Sequence, residues 1–339
     1  MSTTSSLHVL LLIFTMSLSA TSQCSAASTE SNPTVINNRP IIGILTQEVS
    51  PYVNSRYDNQ YHSYIAASYV KFLEGAGARV VPIWIGQKRS YYEDIMSKVN
   101  GVLWPGGNAN FDDKNGYRDA GFMIYKIAKE MYKQGTYFPI MGVCLGFELL
   151  TYVTANCIEH RIPCNATNLP LSLKFTRDYQ NSTMFRNAPI DVIDTLKSEK
   201  VTFNVHHYCV TKKQLRKVGA LNLLKVLAVN NDEGGQGFIS AVESTSFPFY
   251  GLQFHPEKNL YEWILERNIP HGEDAVQIAQ YFANFFVKEA RKNKNAFNSI
   301  SDEARSLIYN YPVTYTAQRN ILFQQTYFFK KNSTELNYI

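Results

Sequence analysis

The stretch PIMGVCLGFELL, Pro139 to Leu150, decides how the rest of this chain is interpreted. A short apolar run ends in Cys144, which stands between Gly142 and Gly146, and a helical pattern follows at once. Glycine permits a strained turn and a close approach of a strand to a helix. Hydrolases hold a nucleophilic side chain on such a strand-to-helix turn, whereas a buried structural cysteine needs no flanking glycines. The stretch therefore predicts Cys144 as a nucleophile.

The helix predicted after Cys144 adds a chemical reason for that role. Free N–H groups and the dipole at the start of a helix stabilise a thiolate and lower its pKa. The backbone N–H of Leu145 is then placed to donate to an oxyanion. The alternative is that Cys144 is a small buried apolar residue, the usual fate of a free cysteine.

Outward from this stretch, short apolar strands alternate with helices. The pattern predicts strands at 40–47, 78–85, 100–107 and 137–144, and helices at 63–77, 91–99, 116–135 and 145–154. Such alternation is typical of an α/β fold with a mostly parallel sheet and helices on both faces. After a loop-rich stretch at 160–200, strands are predicted at 201–210, 223–230, 237–244 and 249–256, and a helix at 274–292. Their close succession favours an antiparallel extension of the sheet.

The ends of the chain are interpreted separately. The apolar run from Leu7 to Ala20 is too short to span a bilayer comfortably, and it indicates a signal peptide over residues 1–26 that is removed. The alternative is an anchor that is never cut. We expect one catalytic domain over residues 35–310 and a tail at 311–339 that packs on it. No other stretch is long and apolar enough for a membrane helix, so we expect no membrane association after cleavage.

Composition and charge argue for a globular protein without a nucleic-acid partner. Of the 339 residues 45% are hydrophobic, and the net charge of +5 is scattered with no basic block. Secretion is supported by three N-x-[ST] sequons, which predict glycosylation at Asn165, Asn181 and Asn332.

Four cysteines follow the predicted signal peptide, too few for a disulfide scaffold in a chain this long: Cys144, Cys157, Cys164 and Cys209. Either Cys157 pairs with Cys164, or Cys209 takes one of these two as its partner.

A cysteine nucleophile needs a base, and His255 in YGLQFHPEK is the best candidate. In an extended chain residues two apart point to the same side, so Glu257 can orient the imidazole and stabilise its charged form. In LWPGGNAN, Gly106 and Gly107 end another strand and can expose N–H groups to an oxyanion, although a plain turn explains them as well. The sequence has no H-E-x-x-H or C-x-x-C motif, and we expect no metal and no cofactor.

The order WPGG, GVCLGFE and QFHPEK resembles the class I glutamine amidotransferase-like fold. Within it, RPIIGILTQE, YIAASYVKFLEGAGARVVPI and YGLQFHPEKNLYEW resemble the γ-glutamyl hydrolase family over roughly residues 39–325. The resemblance implies Cys144 as the nucleophile, His255 as the general acid/base and Glu257 as its orienting partner. It also implies a functional role for His206 of Asn204-Val-His206, which we expect to bind substrate; the alternative is a strand histidine with a structural hydrogen bond, and His207 beside it leaves the register open. From the glycine turn and the helix start we expect the N–H groups of Gly107 and Leu145 to bind the oxyanion, and Gly106 to bind substrate.

The resemblance also implies a function. It is that of a cysteine hydrolase, secreted or lysosomal, that cleaves γ-glutamyl amide bonds of folylpoly-γ-glutamates and antifolate polyglutamates through a thioester. The family implies a homodimer. A glutaminase of the amidotransferase type is disfavoured by the signal peptide and by the absence of a synthetase domain. A non-catalytic relative that binds γ-glutamyl ligands is disfavoured because Cys144, His255 and Glu257 are all present.

Overall fold

The protein is described here by a computed structural model that covers residues 36–319 and 321–330. The predicted signal peptide, Asn332 and the end of the tail lie outside these residues. The strands are β1 Ile41–Leu45, β2 Gln47–Glu48, β3 Ser63–Ala66, β4 Arg79–Ile83, β5 Val102–Trp104, β6 Ile140–Val143, β7 Ile162–Leu171, β8 Lys174–Phe175, β9 Thr202–Cys209, β10 Leu224–Asn231, β11 Gly237–Ser244, β12 Phe249–Leu252, β13 Val313–Tyr315 and β14 Gln325–Phe329. The α-helices are α1 Pro51–Asn54, α2 Ala67–Glu74, α3 Arg89–Lys98, α4 Tyr117–Lys133, α5 Leu145–Thr154, α6 Ile190–Ser198, α7 Lys212–Lys217, α8 Lys258–Tyr261, α9 Glu273–Ala290 and α10 Ile300–Ser306.

The central sheet has the strand order β4-β1-β5-β6-β12-β11-β10-β8. The first five strands are parallel to one another. Strands β11, β10 and β8 continue the sheet in antiparallel pairs. The predicted α/β class, with a mostly parallel sheet and an antiparallel extension in the C-terminal half, is confirmed. Strands such as β1, with all five residues buried, are apolar throughout because helices cover both faces.

One apolar core lies on each face of this sheet. Helices α2 and α9 pack on one face, where Leu73 and Phe282 are fully buried. Helices α3, α4 and α5 pack on the other, where Ile124 and Leu149 are fully buried. The two layers fix the start of α5 against the end of β6, which is where Cys144 lies.

A second sheet, with the order β13-β14-β3-β2, joins distant parts of the chain. Within the predicted helix 63–77, the first four residues form β3 instead, and the helix α2 begins at Ala67. The reason is tertiary, because β3 pairs with β14, for example Tyr64 with Phe328. No local pattern in residues 63–66 shows a partner so far along the chain.

The predicted loop-rich stretch 160–200 contains the ten-residue strand β7 and the helix α6. Strand β7 carries Pro163 and Pro170 and pairs with β9 alone, in a shifted register. Proline is tolerated in such edge strands but is rare in strands generally. The two prolines therefore made this stretch resemble a loop in the sequence. A disulfide between Cys164 and Cys209 joins the two strands, one of the pairings that the sequence left open.

Within residues 36–319 and 321–330, no helix combines the length and the apolar character needed to cross a bilayer.

Candidate active site

A cleft of about 690 Å³ opens at the carboxyl ends of the parallel strands. Gly107 after β5, Cys144 after β6 and His255 after β12 all line it. Ligands of open α/β sheets bind at this edge, because loops from several strands converge there. The structure therefore brings together three of the residues that the sequence singled out.

Cys144 is held in a strained backbone conformation between β6 and α5. Its φ of 51° and ψ of −108° lie where side chains are rarely tolerated, and its N–H donates to the Leu252 carbonyl at 2.8 Å. A Cβ on Gly142 would lie 2.2 Å from the Gly146 carbonyl oxygen, and one on Gly146 would lie 2.0 Å from the Trp104 carbonyl oxygen. Only glycine fits on either side of this turn, as the flanking pattern predicted.

His255 and Glu257 form a buried pair beside the nucleophile. The His255 Nδ1 lies 2.7 Å from the Glu257 Oε1, and their relative exposures are 3% and 0%. Although burial opposes it, the charge of His255 and this hydrogen bond hold the pKa of Glu257 below its usual value. The carboxylate therefore accepts the Nδ1–H, which leaves Nε2 as the free base nitrogen. Burial lowers the pKa of His255, although Glu257 acts in the opposite direction.

Tyr69 on α2 is a site residue that sequence reasoning missed. Its buried hydroxyl accepts a hydrogen bond from the Gly106 N–H at 2.8 Å and lies 3.2 Å from the His255 Nδ1. A Cβ on Gly106 would lie 2.6 Å from the His255 Cε1 and 2.9 Å from the Cys144 Cβ. The two reactive side chains thus converge over Gly106. The available signal was the tyrosine within YIAASYVK, but no spacing rule connects it with the distant histidine.

Side-chain hydrogen bonds to the Pro105 carbonyl hold the turn at Pro105 and Gly106 in place. Gln47 Nε2 and Tyr117 Oη both donate to the Pro105 carbonyl, at 2.9 Å and 2.7 Å. Because the Gly106 N–H is already bonded to Tyr69, it is not free to meet a substrate oxygen. In the described part of the chain, no hydrogen bond uses the N–H of the next residue, Gly107.

The helix start offers a second donor at the nucleophile. The Leu145 N–H can donate a hydrogen bond to the Cys144 sulfur. This bond favours the thiolate and so acts to lower the pKa of Cys144. The N–H groups of Gly107 and Leu145 are the pair that the sequence assigned to the oxyanion. Gly107 follows β5 and lines the cleft, and Leu145 begins α5 directly after Cys144.

The structure does not bring His206 to the cleft. Side chains alternate along β9, so Phe203, Val205 and His207 line the cleft while His206 is buried on the opposite side. His206 packs edge-on against Phe238, and burial lowers its pKa to about 4. The adjacent histidines in NVHHYC fit either orientation of the strand, and only the sheet register decides between them.

Burial also decides the charge state of the nucleophile in the free protein. Burial, and then the carboxylates of Glu148 and Glu257, raise the pKa of the Cys144 thiol well above its ordinary value. The opposing effects of Lys258 and the Leu145 N–H are smaller. The predicted lowering of the thiol pKa is therefore wrong for the free protein, in which burial favours the neutral thiol.

This charge state predicts how Cys144 reacts with iodoacetamide. Since only the thiolate is alkylated, we expect a rate that is low at pH 6 and still rising above pH 8.5, the pKa of an ordinary thiol. Rates measured from pH 5 to 10 by peptide mass mapping test this. A plateau that extends down to pH 5 would show a thiolate–imidazolium pair instead.

Glu148 is a second residue that sequence reasoning missed, although it lies in the GFELL motif. Its carboxylate is buried one helical turn after Cys144, 3.0 Å from an Arg161 nitrogen and 3.3 Å from the Gln253 Nε2. Burial raises the pKa of Glu148 to about 7, against the lowering effect of Arg161. The residue connects the nucleophile helix with the start of β7.

This shift predicts a dependence of stability on pH. A folded pKa of about 7, above the ordinary 4.5, means that the folded protein holds a proton that the unfolded chain releases. The free energy of unfolding should therefore fall as the pH rises from 4.5 to 7, by up to about 1.4 kcal/mol per pH unit. Glu148→Gln should lack this decline in urea unfolding, whereas Glu159→Gln, which removes the other carboxylate on Arg161, should keep it. The same pH dependence in Glu148→Gln as in the wild type would contradict the assignment.

Two of the three predicted glycosylation sites lie within the described residues. Asn165 on β7 and Asn181 are both exposed. Asn332 lies outside.

Comparison with known proteins assigns this chain to a family. The profile described as Peptidase C26 matches residues 40–257. The chain is 41% identical over 298 residues to a γ-glutamyl hydrolase of Bos taurus, covering 88% of this chain and 92% of that protein. It is 36% identical over 311 residues to γ-glutamyl hydrolase B of Dictyostelium discoideum, covering 90% and 88%. A solved glutamine amidotransferase from Methylobacillus flagellatus is 10% identical, with a TM-score of 0.41 over 77% of this chain and 97% of that one.

Proposed function

Because the chain belongs to the Peptidase C26 family, we propose that it is a hydrolase that cleaves γ-glutamyl amide bonds, with folylpoly-γ-glutamates as its substrates. The observation that carries the proposal is the strained Cys144 turn beside the buried His255–Glu257 pair in one cleft. The named relatives at 36–41% identity over most of the chain support the γ-glutamyl bond as the one cleaved.

The first half of the reaction acylates the enzyme. The His255 Nε2 takes the proton of the Cys144 thiol as Sγ forms a bond to the γ-carbonyl carbon. The N–H groups of Gly107 and Leu145 stabilise the oxyanion. As the C–N bond breaks, His255 returns the proton to the leaving nitrogen. A γ-glutamyl thioester on Cys144 and a free glutamate or glutamyl chain result.

The second half uses the same groups in reverse. His255 accepts a proton from water while the water oxygen attacks the thioester carbonyl. The C–S bond then breaks, and the proton passes from His255 to the departing sulfur. Glu257 keeps the Nδ1–H oriented and stabilises the imidazolium at each step. The reaction needs no metal and no cofactor.

We also propose that the chain enters the secretory pathway and is secreted or lysosomal. The apolar run at 7–20, the exposed sequon residues Asn165 and Asn181, and a disulfide between Cys164 and Cys209 support this, since disulfides persist in oxidising compartments. A homodimer is proposed on the family resemblance alone. Light scattering of the purified protein tests it.

The proposed reaction is tested by two substrates side by side. Purified protein is incubated with pteroylpenta-γ-glutamate and, separately, with free glutamine. We expect shortened pteroylglutamates from the first and no ammonia from the second. Ammonia from glutamine with no chain shortening would identify a glutaminase, and binding of the pteroyl compound without turnover would identify a non-catalytic relative.

A further inference from the structure

Lys258 is a buried cation with no acceptor. It follows Glu257 directly, begins α8, lines the cleft and is only 5% exposed. Across residues 36–319 and 321–330, its ammonium makes no hydrogen bond and no ion pair. Its Nζ lies 4.8 Å from the centre of the Phe323 ring, which is a cation–π contact.

The nearby carboxylates do not satisfy this ammonium. The Glu257 Oε1 is bonded to His255 at 2.7 Å, and the Glu262 Oε2 accepts the Gln324 N–H at 2.5 Å. The other oxygen of each carboxylate is buried and has no hydrogen-bond partner in the described residues. Neither carboxylate forms a salt bridge with Lys258. An ammonium buried without a hydrogen-bonding partner is unfavourable, and a site that retains one beside a nucleophile is prepared to receive an anion.

Other charges along the cleft point the same way. Arg267 also lines it, and its guanidinium has no carboxylate partner in the described part of the chain. The acidic residue of the lining is Glu48, whose Oε1 already accepts the Tyr117 N–H at 2.8 Å. The cleft is therefore suited to an anionic chain.

The proposed substrate supplies such an anion at a fixed place. In a γ-linked glutamyl residue the α-carboxylate is free, and it is joined to the reacting γ-carbonyl by three carbon atoms. When the γ-carbonyl is at Cys144, the α-carboxylate must lie nearby in the same cleft.

We propose that Lys258 binds the α-carboxylate of the glutamyl residue whose γ-carbonyl is attacked by Cys144. This inference rests on the proposed function. The contact supplies an acceptor to an ammonium that has none in the described residues, and a bond between an ammonium and a carboxylate is a charge-assisted bond of the stronger kind.

A structural role is the competing explanation. Lys258 affects the pKa values of Glu257 and Glu262, and it can serve as their counter-charge alone. In that case its loss harms every substrate equally. If it binds the α-carboxylate, its loss harms only substrates that carry this group.

Two substrates and two variants separate these explanations. The substrates are pteroyl-γ-glutamylglutamate and its analogue with a carboxamide in place of the α-carboxylate of the inner glutamate. For Lys258→Met we expect kcat/KM to fall by about 10- to 100-fold on the first and by less than about 3-fold on the second, the difference being one charged hydrogen bond. Lys213→Met removes the same charge from the exposed face of α7 and should change neither. Equal losses on both substrates would overturn the proposal.

A binding measurement keeps this test independent of turnover. In the Cys144→Ala background, calorimetry with the same two ligands should show that Lys258→Met weakens binding of the α-carboxylate ligand by about 10- to 100-fold and leaves the carboxamide ligand unchanged. Failure of the wild type to cleave either ligand would refute the proposed function, while this titration would still decide the role of Lys258. Unchanged affinity for the α-carboxylate ligand would overturn the proposal.

Discussion

Cys144→Ala should lower kcat for γ-glutamyl cleavage by at least about 10⁴-fold, because no other group in the cleft can form the thioester. The residue lies at the end of β6 with its N–H bonded to Leu252, and alanine keeps both the N–H and the small Cβ. We therefore expect a folded protein with an unchanged midpoint in urea that still binds substrate.

Cys157→Ala is the matched control for this variant. Cys157 is the other free cysteine in the described residues and lies outside the cleft lining. Turnover of pteroylpenta-γ-glutamate by this variant should equal that of the wild type. Wild-type turnover by Cys144→Ala would remove the residue from the mechanism.

Gly146→Ala should destabilise the fold by at least about 3 kcal/mol. The added Cβ would lie 2.0 Å from the Trp104 carbonyl oxygen, and this neighbour is backbone of a central strand that cannot rotate away. Since the clash is at the turn that holds Cys144, activity should fall together with stability.

Urea unfolding at pH 7 measures the effect, with Gly272→Ala as its control. A Cβ at Gly272 meets nothing within 4 Å, and this residue is the N-cap of α9, so we expect a loss of about 1 kcal/mol or less. Equal stability of the Gly146→Ala variant and the wild type would show that the strand and helix can separate, and that the glycine pattern has another cause.

The sequence predicts the nucleophile turn well because its signals are local. The helix predicted over 145–154 is the helix observed, and the glycines around Cys144 are where a side chain has no room. The pairing of His255 with Glu257 is as predicted, although the two residues lie in a turn after β12 and not in an extended strand. The resemblance to the γ-glutamyl hydrolase family rests on the same stretches, and the family match confirms it.

The features that the sequence does not show depend on contacts between residues that are far apart in the chain. The strand at 63–66 exists because β14 lies beside it, and Tyr69 reaches His255 only because α2 then begins at Ala67. Similarly, whether His206 or His207 faces the cleft depends on the register of β9 against β7, which adjacent histidines cannot reveal. The raised thiol pKa of Cys144 reflects burial by residues far away in the chain.

The most direct test of the central claim compares turnover with the state of the Cys144 sulfur. The Cys157→Ala protein is alkylated to increasing extents, the modified fraction of Cys144 is measured by peptide mass mapping, and cleavage of pteroylpenta-γ-glutamate is assayed at each extent. If Cys144 is the nucleophile, activity falls in proportion to the modified fraction and vanishes when modification is complete. Cleavage at an unchanged rate by protein with Cys144 fully alkylated would contradict the claim.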